Sequence, residues 1–71
     1  GIQLSAYNGV ISLSSLPNQA VVELFSTSGM LLSRHALPAN ANSLQATGLP
    51  QGVLVVRVTW NNGKWSKAIR L

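Results

Sequence analysis

The chain has 71 residues and no cysteine, and only 8% of its residues are charged while 46% are apolar. This length fits one small domain, and the composition excludes disulfides, thiolate metal sites and thiol nucleophiles. The net charge is +4, because five cations face a single acidic residue, Glu23. With so few charges the surface must consist mainly of Ser, Thr, Asn and Gln, a composition that favours a secreted or envelope protein.

The pattern of the chain predicts an all-β fold. Helix signals are weak, because β-branched residues, Ser, Asn and Gly are frequent and no three-to-four spacing of apolar residues is sustained. Turn signals divide the chain instead, beginning with Asn8-Gly9, a dipeptide that suits a tight hairpin turn. The predicted strands are residues 2–6, 10–14, 20–26, 30–37, 43–47, 53–60 and 64–71.

The third and fourth predicted strands form a hairpin in the middle of the chain. Alternation in the third strand places Val22 and Leu24 on one face and Phe25 on the other. A turn that contains Gly then leads into the fourth strand. The polar segment 38–42 predicts a crossover between sheets, and Leu49 is expected to fill the core from the turn before the sixth strand.

The last two predicted strands form the longest hairpin. Leu54, Val56 and Val58 share one face of the sixth strand, whose nearly continuous apolar run predicts a central strand covered at least in part on both faces. The turn at 61–63 is rich in Asn and Gly, which tolerate positive φ. Removing the seventh strand would expose a long apolar edge. We therefore predict a small antiparallel two-sheet sandwich, immunoglobulin-like, with about seven short strands.

Residues that could carry catalysis or hold a metal are scarce. Glu23 is the only carboxylate side chain and His35 the only imidazole, so a two-carboxylate mechanism is impossible. A Ser-His-acid arrangement needs both of them and a serine, and nothing in their spacing favours it. The glycines lie at turns or at the terminus and form no phosphate-binding loop. We expect no enzyme activity, no cofactor, no metal and no catalytic residue.

The aromatic and basic residues near the end of the chain each allow two interpretations. Trp60 and Trp65 either cap the core or stack on a sugar, and core capping is favoured because a small domain needs its large rings for burial. Lys64, Lys67 and Arg70 either guard a strand edge or recognise an acidic partner. The cations are too few and too spread for nucleic-acid binding. No apolar run is long enough to enter a bilayer as a spanning helix.

Three stretches of the chain, taken together, carry a family resemblance. The first is AVVELFSTSGMLL, similar to a segment written V-x-I-Y-(D or N)-x-x-G-x-x-V. The second is LPQGVLVVRV, similar to L-x-x-G-x-Y-x-V-x-V, and the third is KWSKAIRL, similar to a closing strand with a Lys before a short apolar finish. In this order and spacing they resemble the C-terminal sorting domains of the type IX secretion system (the Por secretion system, type A sorting domain family), over essentially the whole chain.

The match to that family can be followed position by position. Thr27 departs from it, since the family often has an apolar residue there, and Leu54 stands where the family often has Tyr. The positions that match the three segments are Val22, Leu24, Phe25, Gly29, Leu49, Gly52, Leu54, Val56, Val58, Lys67, Ile69 and Leu71.

The resemblance implies that residues 1–71 are a single C-terminal sorting domain, excised from the end of a larger secreted protein. Such a domain directs its covalently attached N-terminal cargo through the periplasm and across the outer membrane of Bacteroidota-type bacteria, by the type IX translocation machinery. A cell-surface sortase then commonly removes the domain, and the cargo stays at the surface or enters the medium. The residues expected to be recognised by the translocon or sortase are Lys64, Lys67, Ile69, Arg70 and Leu71. The alternative is a carbohydrate-binding or immunoglobulin-like accessory module of a secreted enzyme.

Overall fold

Seven antiparallel strands make up the regular structure of the chain, in a computed structural model that describes residues 1–71. Each strand agrees with a predicted segment to within one residue at either end. None of the elements is a helix that could cross a lipid bilayer. The strands are β1 (Gln3–Tyr7), β2 (Val10–Ser14), β3 (Val21–Ser26), β4 (Leu31–Ala36), β5 (Leu44–Ala46), β6 (Val53–Trp60) and β7 (Gly63–Arg70).

The strands divide into two sheets, as predicted. The three-stranded sheet has the order β1-β2-β5 and the four-stranded sheet the order β4-β3-β6-β7. The chain changes sheet after β2, β4 and β5, which gives the crossed connections of an immunoglobulin-like sandwich. Segment 38–42 is the predicted crossover, and it is tied to the β2–β3 loop because the Leu16 N–H donates to the Asn42 carbonyl at 2.9 Å.

The core lies between the two sheets and is entirely hydrophobic. Alternation along each strand explains it, because every second side chain points to the same face. The predicted inward faces of β3 and β6 are confirmed, and Leu49 is half-buried against the core as expected. The buried residues are Ile11, Leu13, Leu16, Ala20, Val22, Leu24, Ala46, Leu54, Val56 and Val58.

The outer face of β6 is covered only in part, in agreement with the prediction of a central strand covered at least in part on both faces. The two sheets pack through their inner faces, and no third layer lies over the four-stranded sheet. Val53 and Val55 are nevertheless half-buried, with Phe25 opposite Val55 in the register. Valine is frequent on such half-exposed sheet surfaces, which explains why the apolar run continues on this face.

The β6–β7 hairpin turns at residues 61–62, with Trp60 opposite Gly63. The predicted turn is confirmed, and its residues do not use their tolerance of positive φ, since none from 61 to 63 adopts it. Position 63 is glycine for a different reason, because a Cβ there would lie 2.9 Å from Cζ2 of Trp60. The indole therefore lies against the backbone of Gly63, a close approach of the kind that a glycine within a strand often marks.

Candidate functional site

Strand β7 is one edge of the four-stranded sheet, and the residues predicted for recognition lie on it or directly after it. Ile69 and Leu71 are half-buried and pack against the core. The Leu71 N–H also donates to the Gly52 carbonyl at 2.9 Å. These contacts make the apolar end of this segment part of the sandwich, while its cations remain at the surface.

The Leu71–Gly52 hydrogen bond shows which backbone groups of β7 are unpaired. Opposed residues of an antiparallel pair alternate between bonded and non-bonded positions, and the β6–β7 register has no irregularity. The backbone groups of Trp65, Lys67 and Ile69 therefore bond to β6. The residues whose N–H and C=O groups face the open edge are Lys64, Ser66, Ala68 and Arg70.

The cations of β7 lie on two sides of the sheet. Lys64 and Arg70 are on the outer face, whereas Lys67 is opposite the buried Val56 on the inner side and is still exposed. None of the three forms an ion pair. A charge that points inward from an edge strand opposes edge-to-edge aggregation. Lys67 is placed for that guarding role, and its ammonium is also accessible to an acidic partner.

The single acidic side chain, Glu23, lies between two arginines on the outer face. The Arg57 Nε and Nη2 groups donate to Glu23 Oε1 at 3.2 and 2.8 Å. Arg34 Nε lies 3.8 Å from Glu23 Oε2. Sequence reasoning missed this cluster, because it depends on the register of β3 against both β4 and β6, which brings together residues far apart in the chain.

The residues considered for catalysis do not come together. His35 is opposite Val22 and faces the inner side of β4, whereas Glu23 faces outward from β3. The His35 Nε2 atom is 3.2 Å from the hydroxyl oxygen of Ser33. No group of three or more His, Cys, Asp or Glu residues is arranged to hold a metal ion. A Ser-His-acid arrangement of Glu23 and His35 is therefore not formed.

The two tryptophans are placed against the core. Trp60 and Trp65 are half-buried and pack on the inner side of the four-stranded sheet. This placement is the core-capping arrangement that the sequence favoured over a sugar platform. Tyr7, at the end of β1, is the aromatic residue that is most accessible, with 79% of its surface exposed.

The three stretches that carry the family resemblance come together in one sheet. The first supplies β3 and the start of β4, the second most of β6, and the third most of β7. Gly29 and Gly52 have φ values of +92° and +114°, in the region that favours glycine. Phe25 is the one apolar motif residue that faces outward; the others lie in the core or pack against it.

Comparisons of the chain with protein-family models, with curated proteins and with solved structures find no match. The function is therefore inferred from the residues, the sandwich fold and the resemblance of the three stretches. Among the features of the molecule, the cationic edge strand β7 is the one that the resemblance connects with recognition.

Proposed function

We propose that this chain is a sorting domain of the type IX secretion system, which directs an attached cargo protein across the outer membrane. The observation that carries the proposal is that the three similar stretches, separated along the chain, form the four-stranded sheet that ends in β7. Chance similarities in three separate segments need not pair with one another. The positive φ at both motif glycines further supports the proposal, because it gives a physical reason for Gly at those positions.

In this proposal the domain is an address label with no active site of its own. The translocon recognises β7, where Lys64, Lys67 and Arg70 present positive charge that no carboxylate of the domain neutralises. Complementary charge mainly raises the rate of association with an acidic partner. Ile69 and Leu71 hold the strand in register. The domain travels with its cargo through the periplasm to the cell surface, where the sortase removes it.

The direct test is a fusion of residues 1–71 to the C-terminal end of a periplasmic reporter, in a bacterium that has the type IX system. We expect the reporter at the cell surface or in the medium, and in the periplasm of a strain without the translocon. A reporter that stays in the periplasm of the intact strain, with a folded domain attached, would contradict the proposal.

The role of charge in β7 can be tested in the same fusion. The Lys67→Gln, Arg70→Gln double variant should fold and deliver the reporter less efficiently, because it keeps the strand and loses positive charge. A matched control is Gln3→Glu with Ser5→Glu, which lowers the net charge by the same amount at exposed positions of β1. If both variants deliver the reporter as efficiently as the unchanged domain, Lys67 and Arg70 are not part of the export signal.

A second candidate function is a carbohydrate-binding accessory module, which the exposure of Tyr7 favours. The test is affinity electrophoresis of the isolated domain in gels that contain polysaccharide. A sorting domain should migrate at the same rate with and without the polysaccharide. Retardation that a folded Tyr7→Ala or Trp65→Ala variant loses would favour the carbohydrate module instead, and would show which aromatic residue contacts the sugar.

A further inference from the structure

Every charged side chain of the protein lies in the four-stranded sheet. Strands β1, β2 and β5 contain no charged residue. On the outer face of the four-stranded sheet, four cations accompany the one carboxylate, Glu23, so this face has a net charge of +3. The four cations are Arg34, Arg57, Lys64 and Arg70.

A row of apolar residues crosses the same face. Leu31, Phe25, Val55 and Ala68 are opposite one another in the register of β4, β3, β6 and β7. Leu31 is 48% exposed, Ala68 is exposed, and the two central residues are half-buried. We call these four residues the apolar row.

A shallow depression lies beside the two central residues of the apolar row, Phe25 and Val55, and extends to the turn between β3 and β4. It has a volume of about 440 Å³, and its lining includes Phe25, Val55, Arg57 and Ser66. The Arg57 guanidinium carbon lies 4.7 Å from the centroid of the Phe25 ring. Aromatic and arginine side chains at the centre of a surface, with polar groups around them, are the composition that protein interfaces favour.

We propose that this outer face is a docking surface for an acidic protein segment that carries apolar side chains. The positive charge is complementary to carboxylates, and the depression accommodates apolar side chains against Phe25 and Val55. A second copy of the chain is a poor occupant, because two faces of charge +3 repel each other. A neutral sugar is also a poor occupant, since it has no charge to complement the +3 charge of this face.

The proposed surface is distinct from the open edge of β7. Its centre is on β3 and β6, whereas a partner that adds a strand to β7 would bond to the backbone groups of the edge. The inference does not depend on the sorting function, because it rests on the charge and the exposed side chains of the face alone. A failed export experiment would therefore leave it unaffected.

The experiment is a titration of the ¹⁵N-labelled domain, followed by NMR, with a short peptide in which glutamate and leucine are interspersed with serine. We expect saturable amide shifts centred on Phe25, Val55 and Arg57, and an affinity that falls as salt rises. A peptide of equal charge with serine in place of leucine should bind about tenfold more weakly if the apolar row contributes. Equal binding of the two peptides would overturn the role of the row.

Matched variants locate the surface. Ala68→Glu adds a carboxylate to the apolar row, whereas Ser5→Glu adds one at an exposed position of β1 on the uncharged sheet. Both are edge-strand positions and change the net charge equally. Ala68→Glu should weaken peptide binding about tenfold, and Ser5→Glu should leave it within about twofold of the unchanged domain.

Three results would overturn the proposal. The first is an absence of saturable shifts with the acidic peptide at low salt. The second is shifts confined to β7, with Leu31 and Phe25 unmoved, which would indicate strand addition at the edge. The third is stronger shifts of the same face with phosphatidylglycerol vesicles than with the peptide, which would make the surface one for anionic lipid.

Discussion

At the scale of single residues, position within a strand decides where a charge is tolerated. Val56 has no exposed surface and lies between Leu24 and Lys67 in the register. We expect Val56→Asp to lower the free energy of unfolding by about 3 kcal/mol or more, since it buries a carboxylate without a partner. Denaturation by urea, followed by tryptophan fluorescence, measures the loss.

The control for this substitution is its neighbour on the outer face. Val55→Asp introduces the same side chain at a half-exposed position, with Arg57 in the same strand on the same face. It should cost much less stability than Val56→Asp. A Val56→Asp domain that unfolds at the same urea concentration as Val55→Asp would show that the face assignment of β6 is wrong.

Trp60 and Gly63 give a second prediction at the residue scale. A Cβ at position 63 would lie 2.9 Å from Trp60 Cζ2 and 3.1 Å from Cε2. Gly63→Ala should therefore lower the free energy of unfolding by about 1 kcal/mol or more through crowding, although alanine is otherwise the better strand residue. The loss should disappear when Gly63→Ala is made in a Trp60→Ala background. If the alanine costs the same in both backgrounds, the indole is not the cause.

The sequence predicted which face of its strand each of these residues occupies, but it did not predict which side chains they contact. Alternation alone indicated that Val56 faces the core, because it requires only the strand to be recognised. The contact of Trp60 with Gly63 depends on the rotamer of the indole, and the pairing of Glu23 with two arginines depends on register. Neither quantity has a local signal in the sequence. The turn at 61–62 was predicted, and its backbone conformation was not.

At the scale of elements, β7 combines structural side chains with replaceable charges. Lys67 and Arg70 are exposed and form no ion pair, so changing both to Gln should alter the free energy of unfolding by less than about 1 kcal/mol. Deleting residues 68–71 removes Ile69 and Leu71 from the core, breaks the Leu71–Gly52 hydrogen bond and uncovers part of β6. We expect the deletion to cost at least about 2 kcal/mol.

Thermal unfolding of the two β7 variants checks this prediction. The double Gln variant should melt close to the unchanged domain, and the deletion well below it. The same measurement is the folding control for the export experiment, since only a variant that folds can show whether the changed residues are recognised. A double Gln variant that melts as low as the deletion would mean that Lys67 or Arg70 stabilises the sheet.

Strand positions were predictable to within one residue, because turn residues and alternation are local signals. The pairing of the strands was harder to predict than their positions. The β6–β7 pair followed from the hairpin, but the placement of β3 between β4 and β6 depends on the whole fold. That placement aligns the apolar row across four strands and the Glu23 cluster across three. The candidate docking surface could therefore not be found from the sequence, whereas the cations of β7 could.

At the scale of the whole molecule, one core joins two sheets of very different character. The three-stranded sheet is uncharged, and the four-stranded sheet carries all the charged side chains. Both contribute buried side chains to the same cluster, as do Leu16 and Ala20 from the connection between them. Neither sheet can bury its inner face alone. The domain should therefore unfold as one cooperative unit.

Ile11 allows a test of this cooperativity. It lies in β2 of the three-stranded sheet and has no exposed surface, so Ile11→Ala should cost about 2 to 4 kcal/mol. Trp60 and Trp65, the source of the fluorescence, both belong to the four-stranded sheet. If the core couples the sheets, the unfolding midpoint seen by fluorescence should fall as far as the midpoint seen by circular dichroism. Ser12→Ala, one residue along and on the outer face, should change the free energy of unfolding seen by either probe by less than about 0.5 kcal/mol. In Ile11→Ala, the fluorescence midpoint could equal that of the unchanged domain while the circular dichroism midpoint is lower. That result would show that the four-stranded sheet is stable by itself.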